Sequence, residues 1–333
     1  MRLAGRKILV TGGAGFIGSH LVDRLIQDGC WVNVIDNLAN GKLDNLVQHK
    51  NNRRFKFILG SVLDRAPLAN ALKGIDVVFH LACLGVRHSI KYPFKNHQVN
   101  AEGTLRILEL SRDARVKKFI FCSSSEVYGS AKYAPMDENH PTLPHTIYGA
   151  SKLAGEAYAR AFHDTYGLKT VILRPFNAFG PRSHHEGDAG EMIPKSIVSV
   201  LNGIPIFIFG DGSQTRDFTY VENVAFSLCQ AATNDNLVGS TFNIGSGFEI
   251  SINKVARLIL KAAGDSSLKI KYLKGRPGDV QRLHADASLF AKKTGWQPKV
   301  SFQDGISRTI SWFKSRKCAP SDLLKQEVGI NWV

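Results

Sequence analysis

The sequence predicts an α/β protein in which a doubly wound parallel sheet is joined to a smaller α/β lobe. The first observation is a series of short, apolar, β-rich runs separated by helix-like segments, which is typical of parallel strands with helices on both faces. These runs are residues 7–10, 31–35, 55–59, 77–81, 118–122 and 170–173. The second observation is that this alternation of strand-like and helix-like segments stops after Arg174, where prolines and glycines interrupt a long polar loop.

The segments between the runs have the apolar spacing of amphipathic helices. Residues 16–27 and 96–111 each place their large apolar side chains on one face. In the smaller lobe we expect helices at 191–202, 252–263 and 302–314, with strands at 206–209 and 269–273. We therefore divide the chain into a first domain at 1–174, to which elements from the C-terminal half return, a lobe at 175–315, and a tail at 316–333. The tail lacks periodicity, so we expect it to be loosely attached.

Composition limits the class of protein and its partners. Of the 333 residues 44% are apolar and 21% charged, and 43 Lys and Arg against 28 Asp and Glu give a formal charge of +15. This charge suits an anionic ligand, but the basic residues are scattered without interleaved aromatics, so we expect no nucleic acid partner. No apolar run is long enough to span a membrane, and the 5 cysteines lack metal or disulfide spacing. We predict a cytoplasmic protein.

A glycine-rich turn stands between the first strand and the first helix. Such a turn lets a pyrophosphate approach the backbone, and the N-terminus of the helix supplies N–H donors and partial positive charge. The context of strand, turn and helix predicts a dinucleotide site in a Rossmann fold. The candidate residues in this turn are Gly12, Gly15, Phe16, Ile17 and Gly18.

An acid ends the second predicted strand. Asp36 is placed to accept hydrogen bonds from both ribose hydroxyls, and its charge repels a 2′-phosphate. No arginine lies immediately beside it, so the sequence favours NAD over NADP. We include the neighbouring Asn37 among the candidate cofactor residues.

Tyr148 and Lys152 are four residues apart at the start of a predicted helix and therefore share one face. An ammonium at that position is expected to lower the pKa of the phenol, so that the phenolate can act as a base near neutral pH. It would remove the proton of a substrate hydroxyl while the carbon beneath delivers hydride to NAD. Lys152 is also expected to hold the ribose of the cofactor.

With these motifs the sequence resembles the extended short-chain dehydrogenase/reductases over residues 7–314. The resemblance implies that Asp64 recognises adenine and that Leu81, Ala82 and Asn100 lie beside the cofactor. It also implies that Ser124, in Ser123-Ser124-Ser125-Glu126-Val127-Tyr128-Gly129, binds the same hydroxyl as Tyr148. Family members often pair two helices into a dimer, which here are residues 96–112 and 148–163, so a homodimer is expected.

The same resemblance implies a nucleoside diphosphate sugar as substrate. Asn177 would donate to its pyrophosphate, and Arg216 and Arg276 would anchor the phosphates, since arginine binds phosphate bidentately. Each arginine could instead be a surface residue. Ser125 and Arg87 are further candidates near the sugar, and Arg87 would suit a uronate carboxylate, although a solvated basic loop is the alternative.

Glu126 bears on the outcome of the reaction. In the family a 4-keto sugar is epimerised, dehydrated after loss of its C5 proton, or decarboxylated, and the glutamate at this place favours 4,6-dehydration. Dehydratases with a Thr-Asp-Glu sequence use the middle aspartate as acid, where this chain has Ser125. The alternatives are a UDP-sugar 4-epimerase, a UDP-uronate decarboxylase and, from another class, a non-catalytic NAD- or RNA-binding relative.

A cluster of His184, His185, Glu186 and Asp188 follows the first domain. Adjacent histidines point in different directions and no regular helical spacing supports ligation, so we expect no metal site. We expect this loop to close over the nucleotide instead.

Overall fold

The computed structural model describes residues 2–275, 279–327 and 329. The strands, in chain order, are β1 (Lys7–Thr11), β2 (Trp31–Asp36), β3 (Phe55–Leu59), β4 (Val77–His80), β5 (Lys118–Cys122), β6 (Thr170–Pro175), β7 (Asn177–Phe179), β8 (Ile206–Phe209), β9 (Thr215–Tyr220), β10 (Thr241–Ile244), β11 (Glu249–Ser251), β12 (Ile270–Leu273) and β13 (Arg282–Leu283).

The helices surround these strands on both sides. In chain order they are α1 (Phe16–Gln27), α2 (Arg65–Ala71), α3 (Val86–Lys91), α4 (Pro93–His97), α5 (Gly103–Asp113), α6 (Ile147–Tyr166), α7 (Met192–Leu201), α8 (Val221–Thr233), α9 (Ile252–Ala263), α10 (Ser288–Thr294), α11 (Phe302–Lys314) and α12 (Pro320–Leu324).

A seven-stranded parallel sheet is the centre of the molecule, with the order β10-β6-β5-β4-β1-β2-β3. Its central strands are apolar and fully buried because helices cover both faces. The chain proceeds outward from β1 to β3 and then returns to place β4 on the other side of β1. A crevice forms where the strand order reverses, and this is where open α/β sheets bind ligands. The predicted Rossmann fold is confirmed.

Each of the six predicted strands is present in this sheet. The helices at 16–27, 252–263 and 302–314 are also confirmed to the residue, and those near 191–202 and the strands near 206–209 and 269–273 are present. The seventh strand, β10, was not predicted, because it is short and contains Thr241 and Asn243 among its apolar residues. It enters the sheet because α8 carries the chain back against α1.

The helix predicted over 96–111 is wrong in detail. A helical segment begins earlier with α4, continues through a π-helical turn at Gln98–Glu102 and ends with α5. Asn96 and Asn100 have side chains that hydrogen-bond the backbone of Leu84, which lies in the loop after β4. The widened turn lies at Asn100, one of the residues that binds this loop.

A smaller lobe contains the short strands that lie outside the main sheet. In it β9 lies between β11 and β13 and also pairs with β7, and β8 pairs with β12. Helices α7, α9 and α11 pack around these strands in a second apolar core. The expectation of a loosely attached tail is wrong for α12, whose Leu323 is only 1% exposed in that core. A five-residue helix is too short to produce a periodic pattern.

No helix within the described part of the chain is long and apolar enough to cross a membrane.

Candidate active site

Two cavities meet at the carboxyl ends of the parallel strands. The first, of about 530 Å³, extends along the ends of β1, β2, β4 and β5. The second, of about 500 Å³, lies between this edge and the smaller lobe. Arg87, Asn177, Ala178 and Glu191 line both cavities. A ligand in the first cavity can therefore touch a ligand in the second.

The glycine-rich turn forms one wall of the first cavity. Gly12 has a φ of +69°, and a Cβ atom at Gly18 would lie 2.2 Å from the carbonyl oxygen of Gly12. Only glycine at residue 18 permits this close approach of helix and turn. Gly15 directly precedes α1, and its neighbours Phe16 and Ile17 also line the cavity. The free N–H groups at the start of α1 therefore face the cavity, which suits a pyrophosphate.

Asp36 lies at the end of β2, in the wall of the same cavity. Its carboxylate accepts hydrogen bonds from the backbone N–H groups of Ala14, at 3.0 Å, and Leu38, at 2.8 Å. Burial raises the pKa of Asp36 in spite of these two bonds. Asn37 also lines the cavity and accepts from the N–H group of Ala39. The carboxylate thus joins the glycine-rich turn to β2 and still borders the space where a ribose would lie.

Four other expected cofactor residues divide into two groups. Leu81 and Ala82 line the first cavity, whereas Asp64 and Asn100 are not among its lining residues. Asp64 accepts from the N–H group of Ser61, and Asn100 binds the backbone at Leu84. The structure therefore places these two side chains where they hold the loops after β3 and β4.

Tyr148, Lys152 and Ser124 come together inside the first cavity. Thr146 caps the N-terminus of α6 by accepting from the N–H group of Gly149, so Tyr148 lies in the first turn. The hydroxyl of Tyr148 is hydrogen-bonded to the side chain of Ser124. Lys152 Nζ lies 6.0 Å from the centre of the Tyr148 ring and donates to the carbonyl oxygen of Cys122 at 2.8 Å.

The pKa of Tyr148 differs from the sequence-based expectation. Burial raises it well above the usual value for a phenol, and the nearby thiol of Cys83 raises it further, while the hydrogen bond with Ser124 lowers it. The prediction that Lys152 brings the phenol into the neutral range is therefore wrong for the protein alone. The reason is that loss of hydration disfavours the phenolate more than the hydrogen bond with Ser124 favours it.

Glu126 and Ser125 belong to the turn after β5 and line the first cavity. The N–H group of Glu126 donates to Ser124 Oγ at 3.2 Å. A Cβ atom at Gly149 would lie 2.5 Å from the carbonyl oxygen of Glu126, so the start of α6 packs directly on this peptide. Negative charge on Glu126 is near enough to raise the pKa of Tyr148. A potential base and a potential acid–base tyrosine thus face one space.

The second cavity contains groups suited to a diphosphate. Arg216 lines it and donates to Asp279 at 2.9 Å and to the carbonyl oxygen of Thr215 at 2.8 Å. Asn177 Oδ1 is buried, and no partner for it is found among the described residues. A polar atom buried in this way is expected to bind a ligand or water. Arg276, the other expected phosphate anchor, lies outside the described residues.

Residues 181–191 form a strap across both cavities. Within it His184 and Glu191 line the first cavity, and Glu186 accepts from His184 at 3.0 Å and from Lys42 at 2.7 Å. The strap therefore reaches the loop that follows Asp36. In the described part of the chain no group of three His, Cys, Asp or Glu residues is arranged to hold a metal.

Several residues that line these cavities were not anticipated, among them three that carry a titratable group. Cys83 lines the first cavity, and Lys195 and Glu327 line the second. Cys83 follows Leu81 and Ala82 directly, so its place could have been inferred. Nothing in the aperiodic tail indicates that Glu327 returns to the cavity, because this depends on the docking of α12.

Comparisons with known proteins agree with this arrangement. The model of the family described as GDP-mannose 4,6 dehydratase matches residues 9–309. A putative UDP-glucose 4-epimerase of Methanocaldococcus jannaschii is 39% identical over 312 residues, which is 92% of this chain and 98% of the relative. Other curated relatives are named dTDP-glucose 4,6-dehydratase and UDP-glucuronic acid decarboxylase 1.

Solved structures give the same result. The UDP-N-acetylglucosamine 4-epimerase from Methanobrevibacter ruminantium M1 has a TM-score of 0.88 at 38% identity, covering 94% of this chain and 99% of that one. The dTDP-glucose 4,6-dehydratase from Streptomyces venezuelae, solved with NAD bound, has a TM-score of 0.88 at 31% identity, covering 93% and 98%. The chain belongs to this family of NAD-dependent nucleotide-sugar epimerases and dehydratases within the extended short-chain dehydrogenase/reductases.

Proposed function

We propose that the protein binds NAD in the first cavity and a nucleoside diphosphate sugar in the second, and converts the sugar through a 4-keto intermediate. The observation that carries this proposal is the assembly of Ser124, Tyr148 and Lys152 in the wall of the first cavity, which shares Arg87, Asn177, Ala178 and Glu191 with the second. Bound NAD would accept a hydride from the sugar and later return it. Arg216 and Asn177 hold the diphosphate, which places the sugar toward Tyr148.

Tyr148 moves the proton of the sugar hydroxyl in this scheme. Its hydroxyl lies beside that of Ser124, so a sugar hydroxyl bound next to them finds both a donor and an acceptor. Because burial raises the pKa of Tyr148, a positive charge close to the phenol is needed before it works as a base. Lys152 is fixed by the carbonyl group of Cys122 and supplies part of that charge.

For the next step we propose 4,6-dehydration with Glu126 as the base. The C5 proton of a 4-keto sugar is acidic because the carbanion is stabilised by the adjacent ketone. Glu126 lines the cavity next to Tyr148, which suits removal of that proton. Asp36, Asn37 and the glycine-rich turn remain the proposed ribose and pyrophosphate contacts.

A 4-epimerase is the second candidate, and two observations favour it. The relative from Methanocaldococcus jannaschii and the structure from Methanobrevibacter ruminantium M1 both carry epimerase names. Ser125 also occupies the position from which a carboxylic acid would protonate the leaving hydroxyl in dehydration. Epimerisation needs only rotation of the ketone. Decarboxylation of a uronate is a third possibility, for which Arg87 at the junction of the cavities would bind the carboxylate.

A panel of nucleotide-sugars with different bases and sugars, followed by NMR, tests the proposal. A 4-keto-6-deoxy product supports dehydration, inversion at C4 alone contradicts it, and loss of carbon dioxide from a uronate identifies the decarboxylase. Without turnover of any sugar the proposed activity is wrong.

The variant Glu126→Gln then tests the base. If Glu126 removes a proton, product formation falls about 10²- to 10⁴-fold while reduced nicotinamide still forms. Glu191→Gln is the matched control, because Glu191 is another carboxylate in the wall of the first cavity. Equal losses in both variants would refute a specific role for Glu126.

We also propose a homodimer that pairs α4, α5 and α6 of two chains. Large apolar side chains on or beside these helices are exposed, among them Phe94 at 71%, Leu105 at 41% and Ile147 at 44%. Apolar groups so exposed on neighbouring helices suit a protein–protein contact. A mass near 36.7 kDa by light scattering would mean a monomer and would contradict the pairing.

The five free cysteines are consistent with the predicted cytoplasmic location.

A further inference from the structure

A buried ion pair lies directly behind the candidate active site. Glu156, on α6, is 0% exposed, and Arg174, on β6, is 4% exposed. Arg174 Nε donates to Glu156 Oε1 at 2.8 Å, and Nη2 donates to Oε2 at 2.6 Å. This bidentate geometry fixes the orientation of both groups. Neither side chain is among the residues that line the two cavities.

On one side the ion pair holds the end of β5 against α6. Ser123 Oγ donates to Glu156 Oε1 at 2.6 Å. The carbonyl group of the residue before Ser123 accepts from Lys152, and the residue after it, Ser124, is hydrogen-bonded to Tyr148. Three consecutive residues of the chain therefore bind three successive turns of the same helix.

On the other side the ion pair holds the turn that contains Glu126. Arg174 Nη1 donates to the hydroxyl oxygen of Tyr128 at 2.7 Å, and Tyr128 donates to Asn243 Oδ1 at 2.7 Å. Tyr128 is 0% exposed and lies two residues after Glu126. Burial raises the pKa of Tyr128 to about 12, so it stays protonated and keeps donating.

We infer that Glu156 and Arg174 are positioning residues that set the place of Tyr148 relative to Glu126. The inference rests on the proposed function, because it assigns these two groups to one reaction. Apolar side chains of similar volume would fill the same space without the cost of burying two charges. They would not reproduce the network of hydrogen bonds that connects α6, β5, β6 and the turn after β5. A misplacement of reacting groups by about 1 Å reduces rates by about 10²-fold.

The test is Glu156→Gln, which keeps the shape of the side chain but removes its charge. We expect kcat to fall about tenfold or more, with the KM of the sugar nucleotide and the Kd of NAD within about twofold, since no cavity group is lost. Arg174→Lys keeps the positive charge but cannot make both hydrogen bonds to Glu156. We expect the same result for it, a lower kcat with an unchanged KM. Thermal unfolding with NAD present establishes that each variant is folded at the assay temperature.

Arg160→Ala is the matched control. Arg160 Nη1 lies 3.3 Å from Glu156 Oε2, but its side chain is 40% exposed and binds neither β5 nor the turn after it. We expect its kcat to equal that of the wild type. If folded Glu156→Gln also has the wild-type kcat, the pair is only structural and the inference is overturned.

A second readout does not depend on sugar turnover. The near-ultraviolet titration of Tyr148 in the NAD complex is obtained by subtracting the same titration of Tyr148→Phe. If the ion pair sets the place of Tyr148 near Lys152, the midpoint moves by about half a pH unit or more in Glu156→Gln, since a phenol responds to small changes in a neighbouring charge. An unchanged midpoint overturns the inference. A wild type that converts no sugar overturns the proposed function alone.

Discussion

Tyr148→Phe separates the catalytic role of the hydroxyl from its structural role. The ring of Tyr148 stays in place in the variant, and the loss is one hydroxyl that is hydrogen-bonded to Ser124. A neutral hydrogen bond contributes about 1 kcal/mol to the free energy of unfolding. Ser124 Oγ still accepts from the N–H group of Glu126, so no buried group is left without a partner. We therefore expect a small change in stability.

The expected change in rate is much larger. General acid–base catalysis contributes about 10²- to 10⁴-fold, which corresponds to about 3–5 kcal/mol of the activation barrier. The effect on kcat should thus exceed the effect on unfolding severalfold. Oxidation of the sugar needs Tyr148 to take the proton of its hydroxyl, so reduced nicotinamide should also fail to form in Tyr148→Phe. In Glu126→Gln, by contrast, reduced nicotinamide is expected to form.

The assay is the absorbance of reduced nicotinamide after mixing with the nucleotide-sugar, together with NMR of the product and thermal unfolding. Tyr158→Phe is the control, because Tyr158 is a half-buried tyrosine on the same helix that lines neither cavity. In the wild type, kcat should rise with pH because burial raises the pKa of Tyr148. A folded Tyr148→Phe that keeps more than about a tenth of the wild-type kcat would refute the assignment of the base.

Two further predictions concern the strap and the phosphate anchor. Burial alone would raise the pKa of Glu186, but hydrogen bonds from His184, His185 and Lys42 hold it well below its usual range. The stabilisation that follows is complete above the ordinary glutamate pKa of about 4.3 and is lost as the pH falls further. At neutral pH Glu186→Gln should therefore unfold at a lower temperature than the wild type and release NAD faster. The difference in unfolding temperature between the two proteins should shrink in acid, and a difference that stayed the same would contradict this prediction. Arg216→Met should raise the KM of the sugar nucleotide about tenfold or more, equivalent to about 1.4 kcal/mol or more, because a bidentate phosphate contact is lost. Its NAD affinity, measured by titration, should not change, and an unchanged KM would remove Arg216 from the site.

Six of the seven strands of the main sheet and helices such as α1 could be predicted because their patterns are local. Apolar periodicity over a few residues distinguishes a helix such as α1 from a strand such as β5. The glycine-rich turn and Asp36 were predictable for the same reason, since strand, turn and helix are contiguous in the chain. The pair of Tyr148 and Lys152 needed only the spacing of one helical turn.

The tertiary structure alone decided the features that depend on distant contacts. Periodicity did not predict β10, the π-helical turn at Gln98–Glu102 or the docking of α12, because each is stabilised by a neighbour far away in sequence. The positions of Asp64 and Asn100 outside the cavity wall likewise follow from the loops they bind.

The pKa of Tyr148 likewise depends partly on the local sequence and partly on the tertiary structure. The sequence by itself determined that a lysine lies one helical turn from this tyrosine, and hence that a charge would act on it. The depth of burial of Tyr148 and the nearness of the Cys83 thiol depend on contacts between distant segments and were decided by the fold. Desolvation is a property of the surrounding volume, which no short stretch of sequence specifies.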